Sequence, residues 1–127
     1  MSPREDLLVE CGDSVRVIGI NGTEEARFAE FGGSDEIWFN PGDGNAYFAL
    51  GTNAMLRPGF NAGLGVLDAV HNTSLGLTEI AGGQGEHSIA VVAHGNKIFI
   101  PISDKPDNGA RGIAMMHAAR IHHDPED

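Results

Sequence analysis

A unit of about fifty residues recurs along this chain, and a repeat of that length limits the fold more than any single residue does. Residues 15–39, VRVIGINGTEEARFAEFGGSDEIWF, follow the same plan as residues 64–91, LGVLDAVHNTSLGLTEIAGGQGEHSIAV. In each, a β-rich run ends in Asn and Thr, a second short run follows, and a Gly-Gly pair opens the next strand. A third occurrence, GIAMMHAAR at 112–120, matches only the first run. The stretches GGSDEIWFNPGDGNAYFAL (32–50) and GGQGEHSIAVVAHGNKIFIPI (82–102) share a second layout: two glycines, charged residues, an apolar strand, a Gly-containing turn and another apolar strand. A repeat of this length built from several short strands has the dimensions of a four-stranded propeller blade.

The runs EIWFN, NAYFAL, LGVLDA, LGLTEI, HSIAVV and KIFIPI are short, rich in Ile, Val, Phe and Ala, and bounded by Gly, Asn, Asp and Pro clusters, which predicts β-strands. NPGDGN (40–45) and HGN (94–96) read as hairpin turns, because Gly and Asn tolerate the positive φ such turns need. Pro101 lacks an amide proton, so its strand has a free ladder side there or bulges. The stretches 51–63 and 103–112 hold the same place in successive units and read as longer loops. The expected fold is all-β: roughly ten short antiparallel strands forming a partial β-propeller of about three blades. In blade order they run second-third-fourth, first to fourth, then first-second-third. The single domain 1–127 then divides into an incomplete first blade plus the inner strand of the next (6–39), a complete blade (36–81), an incomplete last blade (87–118) and a tail (119–127). Ala, Met and Arg are frequent in 113–123, so that segment is either the last strand or a helix.

Eighteen glycines in 127 residues, about twice the usual share, fit a chain of many turns. Eight Lys and Arg against 18 Asp and Glu give a net charge of −10. Such a chain repels phosphate backbones and anionic bilayers, so neither nucleic acid nor a membrane is an expected partner. No apolar run approaches the roughly twenty residues a membrane-spanning helix needs. MSPREDLLVE lacks the basic and apolar regions of a signal peptide, and a cytoplasmic location is the default expectation. The lone Cys11 excludes an intrachain disulfide and reads as a buried, inert thiol. GGQGEH is glycine-rich but lacks the Lys-Ser/Thr of a phosphate cradle, and no G-x-S-x-G or dinucleotide fingerprint is present.

Between Val15 and Met116 these units resemble the YVTN-type, lactonase-like bacterial β-propeller repeat proteins, in blades that read SDEIWFNPGDGNAYFA, LGVLDA and GEHSIAV. The namesake tetrad is replaced by AYFA and KIFI, and complete propellers of this type carry six or seven blades. The resemblance implies a fold and leaves function open, because propellers host enzymes, ligand sensors and interaction platforms alike. About three blades in an arc would leave apolar side faces and strand edges uncovered, which invites association. A homodimer closing a six-bladed ring is the expected solution.

The innermost strand of a blade starts at the channel mouth, which gives the charged pairs a meaning. Asp35 and Glu36 stand at one such start and Glu86 and His87 at the next, with Asp35 aligned opposite His87. Imidazole and carboxylate together suit Zn or Mn, and carboxylates with water suit Mg or Ca. His87, Glu86 and Glu36 are therefore the candidate ligands of a divalent metal ion. His87 and Glu86 could equally serve as general base and acid, or His87 could cap the strand and pair with a carboxylate. Asp35, Glu36, Arg57 and Trp38 are the candidate ligand-binding residues. Arg57 would act as an anion clamp in an acidic chain, or merely belong to a flexible connector. Trp38 would either stack on a ligand or pack between blades. His71 and His94 read as solvated turn residues, and the histidines of RIHHDPED as part of a frayed tail. Three functions compete: a small-molecule or metal-binding module, a metal-assisted lyase or hydrolase using the same site, and a structural or protein-interaction fragment. The second is similar in plan to propeller lyases and lactonases that hold a cation and a histidine base at the channel. Binding ranks ahead of catalysis, and no substrate is named.

Overall fold

A computed structural model describes residues 5–80, 88–105 and 110–117. Among these residues ten strands follow one another: β1 (Leu7–Cys11), β2 (Ser14–Ile18), β3 (Glu24–Phe28), β4 (Glu36–Asn40), β5 (Asn45–Leu50), β6 (Gly63–Asp68), β7 (Thr73–Glu79), β8 (Ala90–Val92), β9 (Lys97–Lys105) and β10 (Ala110–His117). They form three small antiparallel sheets, β1-β2-β3, β4-β5-β6-β7 and β8-β9-β10, each an up-and-down meander. The only helical element described is a single 3-10 turn, Ala29–Phe31. The chain is thus all-β, as its strand pattern indicates. Among the described residues no helix is long and apolar enough to cross a membrane.

Local chemistry explains the strand limits. At the β4–β5 turn, the Asn40 side-chain oxygen accepts from Gly42 N at 2.9 Å and Asp43 accepts from Asn45 N at 2.9 Å, while Gly44 takes φ +78°. The β8–β9 turn places Gly95 at φ +93° and Asn96 at φ +51°, conformations these residues adopt at low cost. Strands β4 and β5 coincide with EIWFN and NAYFAL, whereas β8 is shorter than HSIAVV and β7 starts earlier than LGLTEI. Pro101 sits within β9, and the pairing of β8 with β9 ends at Phe99, so that edge of β9 has no described partner at Pro101. One expectation is corrected. The stretch 103–112 is not all loop, because antiparallel pairing carries β9 to Lys105 and starts β10 at Ala110. The segment from Ile113 is strand, not helix, as far as His117; the remainder of 113–123 lies outside the described residues.

The central sheet is covered on both faces. On β5, Ala46, Phe48 and Leu50 turn toward the first sheet and form one cluster with Val15 and Phe31 and with Leu67 and Ala69 on their own sheet's side. Tyr47 and Ala49 point the other way, into a second cluster with Leu64, Ile80, Ile89, Val91, Ile98 and Ile100. A strand has a side-chain period of two, so an apolar run with no polar alternation is what a doubly covered strand requires. Phe31 and Phe48 stack with ring centroids 4.6 Å apart. Glycine at 65 makes room for that stack, since a Cβ there would come within 2.7 Å of the Phe31 ring. The second and third sheets also meet at their turns: Asn40 donates to the Asn96 side chain at 3.0 Å, and a Cβ on Gly42 would lie 2.5 Å from the Ala93 carbonyl oxygen.

Strand β10 covers one edge of β9 from Ala110 to His117 and packs Ala114 and Met116 on the second cluster. Truncation after Asn108 removes it, freeing that ladder and uncovering Ile98 and Ile100. The expected outcome is aggregation on expression, read by sedimentation of the lysate. A soluble truncated chain with unchanged melting would show β10 to be dispensable.

Candidate functional site

The sequence puts strand starts at Asp35–Glu36 and at Glu86–His87; in the structure β4 starts at Glu36 and β8 at Ala90, and the residue just before β8 meets β4. The Glu36 carboxylate, half-buried, accepts the Ile89 backbone N–H at 2.9 Å. The bond crosses from the central sheet to the third. Asp35 is exposed just before β4, and its N–H donates to the Ala49 carbonyl at 3.2 Å. Trp38 lies two residues beyond Glu36, hence on the same face of β4, and is 38% exposed. Strand registers reproduce the sequence alignment: Trp38 pairs with Tyr47 as Ala90 pairs with Phe99. Counting back along the sequence from that pair equates Asp35 with position 87. Glu86 and His87 themselves lie outside the described residues.

Arg57 has a different setting. It is 3% exposed, and its guanidinium donates to the carbonyls of Gly32 at 2.6 Å, Gly51 at 2.9 Å and Glu30 at 3.1 Å. Burial draws its pKa down, opposed by the negative charge of Glu10. The bonds to Glu30 and Gly32 tie the connector after β5 to the segment before β4, and the bond to Gly51 closes the connector on its own start, so it is anchored rather than loose. Its backbone is further turned by Asn53, whose side-chain oxygen accepts from Met55 N and Leu56 N.

Two polar arrangements escaped sequence reasoning. Glu10, on β1, reaches the next sheet: its carboxylate accepts Gly33 N and the Ser34 hydroxyl, each at 2.7 Å. This repeats, one sheet earlier, the reach of Glu36 to Ile89. Nothing in the spacing of Glu10 from Gly33 announces a contact between them. The second arrangement is Asp68 with His71. One Asp68 oxygen accepts Val70 N and His71 N at 3.0 and 3.1 Å, and the other meets His71 Nδ1 at 2.9 Å. The D-x-x-H spacing ahead of Asn-Thr was the available signal, since Asp bonds readily to backbone a few residues on. On β5, the Tyr47 hydroxyl donates to Asp43, and burial with that bond pushes its pKa upward.

Burial works against the Asp68 charge, but the hydrogen bonds from His71 and Val70 outweigh it and leave the carboxyl below its ordinary value. A lowered folded pKa means the unfolded chain binds the proton more tightly, so stability is present above the ordinary Asp range and is lost as pH falls below about 4. Melting temperature followed from pH 5 to pH 2 should therefore fall more steeply for the parent than for Asp68→Asn. Asn keeps an oxygen for the two backbone amides but no titrating charge. Parallel curves would show that Asp68 contributes nothing to acid sensitivity.

Cys11 carries a free, partly buried thiol on β1, and His94 is exposed in its turn, as is His117 at the end of β10. Among the described residues no group of three or more His, Cys, Asp and Glu side chains is gathered to hold a metal ion. Asp35 and Glu36 supply carboxylate oxygens, and the remaining candidate ligands fall at 86 and 87, outside the described residues. What the fold defines is a class: an all-β chain of three small antiparallel sheets with a polar strand start between the second and third. Comparisons with protein-family models, with curated proteins and with solved structures each return no match.

Proposed function

We propose that the three sheets are successive blades of a β-propeller-type ring, of the YVTN-like kind the repeats resemble, and that its mouth binds a small polar ligand or a divalent cation. The observation carrying this reading is the exposed Trp38 beside the Glu36 carboxylate on one face of β4. A partly exposed indole and a neighbouring carboxylate together offer apolar area and a directional bond, the mixture common in small-ligand sites. Asp35 adds a second, exposed carboxylate, and Glu86 and His87 stand at the matching strand start in the sequence. Carboxylates held close together suit a divalent cation. Mg, Ca, Mn and Zn are the ions to offer first.

Trp38 is the only tryptophan, so its emission reports on this mouth directly. Titration with each of the four ions, followed by Trp38 fluorescence and by thermal shift, is expected to give a saturable change with at least one. Glu36→Gln and His87→Ala should weaken it several-fold, and His94→Ala should leave it unaltered. Equal behaviour of the His87 and His94 variants would remove His87 from the site. An enzyme built on the same groups, with His87 as base, would in addition turn over lactones or esters.

The repeated carboxylate reach favours a second reading, a structural or protein-interaction module. Glu10 and Glu36 both bond the amide at the start of the neighbouring sheet, which is a sufficient reason for each acid to be there. On that reading Glu36→Ala lowers stability by about 1–2 kcal/mol while every ion titration stays flat.

A further inference from the structure

The end of the central sheet opposite Glu36 gathers oxygen atoms that the fold leaves short of donors. Asn40, Asn45, Asp68 and Thr73 stand across from one another on β4, β5, β6 and β7, so their side chains share one face. Tyr47 follows Asn45 by two residues on β5, hence that face is the one the third sheet covers. Asn45 is 1% exposed and Asp68 5%. The Asn45 side-chain oxygen is buried and has no hydrogen-bond partner. Its amide nitrogen is a donor toward the Tyr47 hydroxyl, and the hydroxyl proton itself goes to Asp43. Asp43 also accepts Asn45 N at 2.9 Å, so its carboxylate and the Asn45 side chain meet at one hydroxyl.

The turn after β6 lies against this place, because Ala69 N donates to the Gly44 carbonyl at 3.1 Å. In that turn the Asn72 side-chain oxygen is a second buried acceptor without a partner. Two orphan acceptors and two carboxylates therefore sit at one end of one sheet. A buried acceptor with no donor is costly, and more so beside ionised groups. The hydrogen bonds each carboxylate already accepts do not exhaust it, since every carboxylate oxygen has two lone pairs.

We propose that this place binds a divalent hard cation of the calcium class, with the Asn45 amide oxygen and the Asp43 and Asp68 carboxylates as its protein ligands. Among the described residues Asp43 has no ion pair, so its charge is available to the ion. An all-oxygen donor set of amide and carboxylate suits calcium and disfavours zinc. Asp43 is partly exposed, which gives a hydrated ion a way in. A water molecule would donate to the amide oxygen but neutralise neither carboxylate. The site lies at the other end of β4 and β5 from Glu36, and the inference does not rest on the reading of the mouth.

Terbium is the probe, because it takes the ligands calcium takes and its emission is sensitised by a nearby phenol. Tyr47 is the only tyrosine and Trp38 the only tryptophan. The chain carrying Trp38→Phe and Glu36→Gln thus has a disabled mouth and a single sensitiser at the turn end. Excitation of Tyr47 in that background is expected to give saturable terbium emission that calcium displaces. Adding Asn45→Ala or Asp43→Asn should weaken terbium binding several-fold. Calcium should also raise the melting temperature of the chelator-treated parent by several degrees, and this rise should vanish in the same two substitutions. Asp43→Asn keeps an acceptor oxygen and removes only the charge, so it carries the test by itself if Asn45→Ala does not fold. No sensitised emission, the result ordered water alone predicts, would overturn the proposal. Emission that calcium leaves in place, or affinity that neither substitution lowers, would do the same. A calcium-induced rise in melting temperature that Glu36→Gln abolishes and Asp43→Asn retains would put the ion at the mouth instead, sinking this inference while supporting that site.

Discussion

Phe48→Ala should lower unfolding free energy by about 3–5 kcal/mol, the range for truncating a buried aromatic ring. Phe48 is fully buried on the central strand, stacked on Phe31 and facing Val15 of the neighbouring sheet. Its ring is the main body joining two sheets that are connected in sequence only through the turn at Ala29–Phe31 and the residues after it. Loss of the ring removes transfer free energy and leaves a void that Gly65, having no side chain, cannot fill. A domain of this size holds about 5–15 kcal/mol in total, so the variant should be marginal. Urea denaturation followed by circular dichroism would read this as a large fall in midpoint with little change in slope. Phe48→Leu, which keeps most of the volume, should recover more than half of the loss. A midpoint within experimental error of the parent would mean that the first sheet contributes little to the cooperative unit.

Arg57→Ala is expected to cost on the order of 3 kcal/mol. The guanidinium satisfies the carbonyls of Glu30, Gly32 and Gly51 at once, and those groups come from two separate stretches of chain. Carbonyls stripped of donors in a buried setting each lose a desolvated bond that water only partly replaces. Arg57→Lys should rescue little, because a single ammonium cannot address three acceptors in the fixed fork geometry of Arg. Limited proteolysis is the discriminating measurement. Cleavage within 51–62 should rise strongly in Arg57→Ala, with the strands of the central sheet cut no faster than in the parent. If Arg57 instead serves only an external anion, the variant would keep its proteolytic pattern and melting temperature.

Much of this architecture is legible in the sequence. Apolar runs broken by NPGDGN and HGN specify β4, β5 and β9 to within a residue at their starts, because turn chemistry and a period of two are local properties. The fifty-residue repeat specified three groups of strands, and among the described residues the strand pairings recur at equivalent positions in the three sheets. The ambiguity over 113–117 was equally local. Ala and Met favour a helix in isolation, and only the long ladder offered by β9 draws this segment into a sheet.

The candidate site divides along the same line. Sequence alone placed Asp35, Glu36, Glu86 and His87 at corresponding strand starts, since that follows from counting along aligned repeats. Only the tertiary structure decided that Glu36 spends an oxygen on Ile89, that Glu10 does the same for Gly33 and Ser34, and that Arg57 is enclosed by three carbonyls. The partners in these contacts are separated by 53 positions for Glu36 and 25 for Arg57 and Gly32. Contacts over such separations depend on how sheets stack, and stacking is governed by the volumes of Phe31, Phe48 and the glycines that admit them. Side-chain periodicity tells a strand which residues turn inward. The close packing of one sheet on the next settles which polar group each of them finds there.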